Sequence, residues 1–366
     1  MKIISIIGAR PQFIKASVVS EELRKDFSEV IIHTGQHYDY EMSKIFFDEL
    51  DIPEPDYHLG VGSGTHGYQT GEMLKKIEKI LTSEKPDLVL TYGDTNSTLA
   101  GALAASKLHV KTGHIEAGLR SFDKSMPEEI NRILTDHCSD LLFCPTKTAV
   151  INLKKEGITS GVYLTGDVMA DCLLKHIKVA EEKTTILEDL GIDRKRYLVV
   201  TIHRAGNTDS REKLQEILEA LFEISETIIF PIHPRTRKRL IEFGLYDELI
   251  KHKNIKVIQP VGYLEFLRLM KNARTIITDS GGIQKEAYIL KVPCITLREN
   301  TEWIETVQDG WNVLVGADKE RIADACNVDV SNMNYKNHFG RGEASRKIVG
   351  VLKSLSQQSL FFKYGD

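Results

Sequence analysis

The chain has 366 residues, 42% apolar and 27% charged, which is the balance of a globular protein and enough length for two ordinary domains. A formal net charge of -4 lacks the basic excess of a nucleic-acid-binding surface, and no run approaches the roughly 18 apolar residues of a membrane span. Five scattered cysteines (Cys138, Cys144, Cys172, Cys294, Cys326) form no CxxC pair, so no disulfide framework or metal site is expected, and free thiols in the cytoplasm are.

The N-terminal MKIISIIGARPQ is a short apolar run broken by Gly and then Pro, which predicts a buried first strand over 3–7 rather than a signal peptide. Further strands are predicted over 30–34, 88–92, 111–115, 141–144 and 162–164, with helices over 14–24, 68–81, 97–106 and 128–137. The alternation then restarts, with strands over 198–202, 227–232, 255–258, 275–278, 294–297 and 312–315. Helices are predicted over 211–221, 264–270 and 283–290, and a last one over 343–355. Short apolar strands separated by helices imply parallel sheets covered on both faces, here two doubly wound units with a boundary near 166–171.

Chemistry-bearing residues recur where strands end. Gly8-Ala-Arg-Pro-Gln-Phe-Ile-Lys15 follows the first strand; it is not GxGxxG, but it puts Arg10 and Lys15 around a helix start that favours anions. Asp94, in Tyr92-Gly-Asp94-Thr-Asn-Ser, is placed to cap the next helix as well as to serve as a functional acid. His114-Ile-Glu116-Ala-Gly-Leu-Arg120 adds an acid and two potential cations. Glu128, after Pro127, suits a helix start as well as a site. Three carboxylates at one sheet edge repel one another, which favours a function for Asp94, Glu116 and Glu128 together. In the second half His203-Arg204 and His233-Pro-Arg235 close successive strands. In Thr278-Asp-Ser280-Gly-Gly282-Ile-Gln-Lys-Glu286, Ser280 is placed to cap a helix. Gly281 and Gly282 let free N–H groups approach a phosphate, and Glu286 is spaced to accept from ribose hydroxyls.

Through GARPQFIK, HTGQH, YGDTNS, HIEAGLRS, PEEINR, TIHR, HPR, TDSGGIQKEA and RENTE, in one order and almost end to end, the chain resembles the non-hydrolysing UDP-N-acetylglucosamine 2-epimerases. The resemblance implies an α/β GT-B fold, two Rossmann-like domains with parallel sheets facing a central cleft. Residues 1–167 would carry the sugar and catalytic carboxylates and residues 168–342 the UDP, with a C-terminal helix, 343–366, packing back on the first domain. It implies reversible conversion of UDP-N-acetylglucosamine to UDP-N-acetylmannosamine by elimination of UDP to 2-acetamidoglucal and re-addition, by a homodimer without cofactor or metal. Under it Asp94, Glu116, Glu128 and His203 are catalytic, while Arg10, Lys15, Arg132, Phe266, Ser280, Gly281, Gly282 and Glu286 bind substrate, Phe266 against the uracil. Which carboxylate is base and which is acid stays open. Alternatives are a hydrolysing 2-epimerase that releases UDP and N-acetylmannosamine, or a GT-B glycosyltransferase. Bacterial members carry TERPE where this chain has Thr301-Glu-Trp303-Ile-Glu305, so Trp303 replaces an arginine and Arg298 is the candidate substitute. Some members bind a second substrate molecule through an arginine-bearing segment after TGQH; here Tyr38-Asp-Tyr-Glu41 follows, so that regulation is not expected in the same form.

Overall fold

The computed structural model describes residues 1–36, 52–326 and 335–364, without the side chains of Arg10 and 358–364; the 38–41 segment tied to the activator expectation lies outside them. Packing gathers the chain into two units, Met1–Lys175 with His338–Asp366, and His176–Asn337.

The first unit is built on β1 (Lys2–Ile7), β2 (Ser28–His33), β3 (Tyr57–His58), β4 (Leu88–Tyr92), β5 (Lys111–Ile115), β6 (Leu141–Cys144) and β7 (Val162–Leu164). All pairings are parallel, in the order β3-β2-β1-β4-β5-β6-β7. β4 is buried along its whole length, as a sheet covered on both faces requires. The helix His66–Glu84 shows how its cover is specified. Thr65 accepts the Tyr68 amide at the N-cap, and Met73, Ile77 and Leu81, spaced by four, turn one face inward. Lys85 then ends the helix in the left-handed region. That face packs with Ile4, Ile6, Ile32 and Val89 of the sheet, each large aliphatic side chain contributing about 1.5–3 kcal/mol on burial. The last helix, Ala344–Tyr364, joins this unit. Asp171 accepts the Ala344 and Ser345 amides at 3.0 and 2.8 Å, and Lys353 meets Asp26 at 2.6 Å.

The second unit carries β8 (Tyr197–Thr201), β9 (Thr227–Pro231), β10 (Ile255–Ile258), β11 (Thr275–Thr278), β12 (Cys294–Thr296) and β13 (Asn312–Leu314), all parallel in the order β10-β9-β8-β11-β12-β13. Leu198, Val200, Phe230 and Ile277 form its core with Leu214, Ile217, Leu218 and Leu221 of the helix Arg211–Glu223. The sequence also hides elements that periodicity misses, notably the short β3 and the helices Lys147–Lys155, Val168–Lys183, Pro234–Glu242, Tyr246–Lys251 and Lys319–Cys326.

In each sheet the strand order reverses beside the first strand: between β1 and β4 in one unit, and between β8 and β11 in the other. Ligands of open parallel sheets bind outside the C-terminal strand ends at such a switch point. The loops that matter are therefore those after β1, β4, β8 and β11.

His33, at the end of β2, is buried with its ring 5.1 Å from Phe13 and 5.3 Å from His58. Burial first, and His58 second, push its pKa down to about 4. Between that value and 6.5 the unfolded ring binds a proton that the native ring does not. The stability this neutral ring contributes is thus complete above pH 6.5 and falls as pH drops toward 4. Wild type should lose about 2–3 kcal/mol more than His33→Gln between pH 7 and pH 4.5, as measured by urea unfolding.

Candidate active site

The first unit assembles its charged groups on the turns after β1, β4 and β5. Pro11 sits in the first turn of the helix Arg10–Leu23, and Gln12 fastens the turn before it. Gln12 Oε1 accepts the Gly8 and Ala9 amides at 2.8 and 3.0 Å, while its Nε2 donates to the Tyr92 carbonyl at 2.8 Å. One side chain thereby ties the two switch-point loops together. From this helix Lys15 reaches Glu116, and the two form a buried ion pair. Gly93 lies against this pair at φ 66°, a left-handed backbone that favours glycine, and an added Cβ would lie 2.9 Å from Lys15 Nζ and 3.3 Å from Glu116 Oε2. Glu116 itself is left-handed at φ 78°. For a residue with a Cβ that conformation costs about 1–3 kcal/mol and persists only where surrounding contacts impose it.

Asp94 follows Gly93. It does not cap the next helix; Thr95 does, accepting the Thr98 amide. The Asp94 carboxylate instead takes Arg132 Nη2 at 2.7 Å and Nε at 3.1 Å, and Asn131 donates to the Asp94 carbonyl at 3.0 Å. Arg132 belongs to the helix Pro127–Cys138, whose residues 129, 132 and 136 share one inward face. Glu129 accepts Arg132 at 2.8 Å and the Ser121 and Phe122 amides at 2.9 Å each. Burial opposes the Glu129 charge, yet those amides and Arg132 outweigh it and hold its carboxyl below the usual range. Glu128, the sequence candidate, is half-buried beside Glu129, and Glu129 shares Arg132 with Asp94. His114 and Arg120, read as cations at the edge, are buried against Asp136 instead.

In the second unit the pivot is Asp279, fully buried at the end of β11. Its carboxylate accepts the His203 amide at 3.0 Å, the Arg204 amide at 3.0 Å and Asn207 Nδ2 at 3.2 Å, so it shapes the turn after β8. His203 Nδ1 lies 3.5 Å from the same carboxylate, and its ring is 5.6 Å from that of His233. His233 caps its own helix by accepting the Arg235 amide at 3.1 Å, and Arg235 pairs with Asp209.

Ser280 stands at the N-cap of the helix Gly281–Ile289, but its hydroxyl makes no capping bond; its amide donates to Thr278 Oγ1 at 3.0 Å. An added Cβ at Gly281 would fall 2.0 Å from Glu302 Oε1, whereas at Gly282 it would meet nothing nearer than Ser280 Oγ at 4.0 Å. Glu286 is buried on this helix, and Phe266 on the helix Tyr263–Asn272. Arg10 opens the helix after β1, with its side chain outside the described set. At the TERPE position Trp303 is buried with Lys285 Nζ 4.2 Å from its ring centroid, and Arg298 pairs with Glu302 at 3.1 Å.

Two doubly wound parallel sheets, each with charged turns at its switch point and one with a Ser-Gly-Gly helix start, define a GT-B-type enzyme of nucleotide sugars. A family model described as UDP-N-acetylglucosamine 2-epimerase matches residues 21–353, and the chain belongs to that family. It is 61% identical to a UDP-N-acetylglucosamine 2-epimerase homolog of Methanococcus maripaludis, over 97% of this chain and 100% of the relative. It is 49% identical to a UDP-2,3-diacetamido-2,3-dideoxy-D-glucuronate 2-epimerase of Pseudomonas aeruginosa, over 97% of this chain and 100% of that one. Among solved structures, the Methanocaldococcus jannaschii UDP-GlcNAc 2-epimerase in complex with UDP-GlcNAc and UDP matches with a TM-score of 0.91 at 52% identity, covering 97% of this chain and 100% of that chain.

Proposed function

We propose that this enzyme interconverts UDP-N-acetylglucosamine and UDP-N-acetylmannosamine without hydrolysis. The observation that carries the reading is the pair of carboxylates on neighbouring strand ends, Glu116 held by Lys15 and Asp94 held by Arg132. One carboxylate takes the C2 proton as the C1–O bond breaks, UDP leaves with the electron pair, and C1=C2 forms in 2-acetamidoglucal. UDP then adds back at C1 while C2 is protonated on the opposite face, which calls for a second positioned acid. Glu128 is the third carboxylate of this set. Lys15 and Arg132 orient the carboxylates as well as the sugar. Arg10, His203, Phe266, Ser280, Gly281, Gly282 and Glu286 hold UDP; the amides at the Gly281 helix start stabilise the charge that grows on the leaving diphosphate. The reaction exchanges no electrons with a carrier, so no nicotinamide enters.

The enzyme works as a homodimer. The helix Pro127–Cys138 buries Glu129, Arg132 and Asp136 but leaves Ile130 and Leu134 39% and 45% exposed, an apolar outer face suited to a second copy. Its five cysteines are free, which suits the cytoplasm, and no described helix is long and apolar enough to cross a membrane.

A second reading keeps the chemistry and changes the sugar. The Pseudomonas relative, at 49% identity end to end, is named for a 2,3-diacetamido glucuronate substrate, so the groups at C3 and C5 are where the two readings part. One experiment decides: incubation in D2O with each nucleotide sugar, followed by proton NMR. Deuterium at C2 of UDP-N-acetylmannosamine is the expected result. Free N-acetylmannosamine and UDP would mean hydrolysis, and turnover of the diacetamido sugar alone would move the assignment to that substrate.

A further inference from the structure

His114 is the penultimate residue of β5, and its ring is wholly enclosed. Nε2 lies 2.7 Å from the Gly93 carbonyl oxygen and Nδ1 lies 2.6 Å from Asp136 Oδ1. A carbonyl only accepts, so Nε2 carries hydrogen. A second proton must lie between Nδ1 and Oδ1. Asp136 Oδ2 already accepts the Gly118 amide at 3.1 Å and Arg120 Nη1 at 2.7 Å, two donors that favour the carboxylate form. The proton therefore sits on Nδ1 and the ring is an imidazolium. Arg120 also forks onto the solvent-accessible Glu156 at 2.7 Å through both Nε and Nη2.

We propose that the His114 imidazolium is a positioning residue of the epimerisation, spanning the Gly93 carbonyl and Asp136 so that the turns bearing Asp94 and Glu116 are held in one register. Gly93 and Glu116 both have left-handed backbone, the first bonded to this ring and the second two residues along the chain from it. On one side the charged N–H fixes the carbonyl immediately before Asp94. On the other, the carboxylate that orients the ring also grips Gly118 and Arg120, so the chain that leaves Glu116 is tied to the same centre. The ring reaches the Asp94 turn through the Gly93 carbonyl, so its effect on that reacting group passes through the backbone.

The proposal rests on Asp94 and Glu116 being reacting carboxylates, and its test separates the two claims. In the full-length enzyme, 15N NMR at neutral pH should show both His114 nitrogens protonated. In Asp136→Asn one of them should lose its proton. His114→Gln and Asp136→Asn should each lower kcat by about 30-fold or more, while KM and the calorimetric affinity for UDP stay within about 3-fold, because binding is spared and only orientation is lost. A neutral ring in the wild type overturns the proposal, as does wild-type kcat in Asp136→Asn alongside an inactive Asp94→Asn. If His114→Gln does not fold, the wild-type NMR and Asp136→Asn still decide. Full turnover by Asp94→Asn would instead remove the underlying carboxylate assignment, and with it this one.

Discussion

Asp94→Asn and Glu116→Gln should each cut turnover by about 10²–10⁴-fold, the usual worth of a positioned acid or base, and leave UDP affinity within about 2-fold. The amides keep the shape. Asparagine still accepts from Arg132, which now bonds Asp94 at 2.7 and 3.1 Å, and glutamine still accepts from Lys15. What they lose is the ability to take and return a proton. The residues proposed to hold UDP belong mainly to the second unit, so affinity should not follow activity down. Steady-state kinetics beside calorimetric titration with UDP checks this; a variant with wild-type turnover would strike its residue from the chemistry.

Asp279→Ala should damage the candidate site of the second unit. The buried carboxylate accepts two backbone amides and Asn207, and its removal takes this acceptor from both amides, while Asn207 keeps the Leu297 carbonyl. We expect a loss of about 3 kcal/mol in stability by urea unfolding. UDP affinity should fall about 10–100-fold, because the His203–Arg204 turn loses its anchor. Asp279→Asn should fall between, since it keeps one acceptor. Unchanged affinity in Asp279→Ala would show that UDP does not depend on that turn.

These two experiments fall on residues of unequal legibility. Asp94 and Glu116 stand out in sequence because acids at consecutive strand ends are conspicuous. Asp279 sits between Thr278 and Ser280 in an equally visible motif, yet attention goes to its neighbours, since a buried Asp that accepts backbone amides has no local signature. Gln12 escapes for the same reason: its partners lie three and four residues behind it and eighty ahead. Ser280 illustrates the opposite error. Its residue type predicts a capping hydroxyl, but the Thr278 hydroxyl orders the backbone there.

The alternation of apolar strands with helices was enough to establish two parallel α/β units, because burial on both faces leaves continuous apolar runs that few other folds share. The strand-end motifs were enough to single out candidate positions, since acids and cations at the ends of apolar strands are not explained by apolar burial. Three things came only with tertiary structure. The reversal of strand order beside β1 and β8 selects which loops form the site, and that depends on pairing across dozens of residues. The pairing of Glu129 with Arg132 depends on which face of the helix turns inward. The burial of His114 and Arg120 around Asp136 converts two apparent surface cations into internal supports. Local sequence encodes period and residue type, whereas the partner of a buried charge is set by whatever the fold carries to within 3 Å of it.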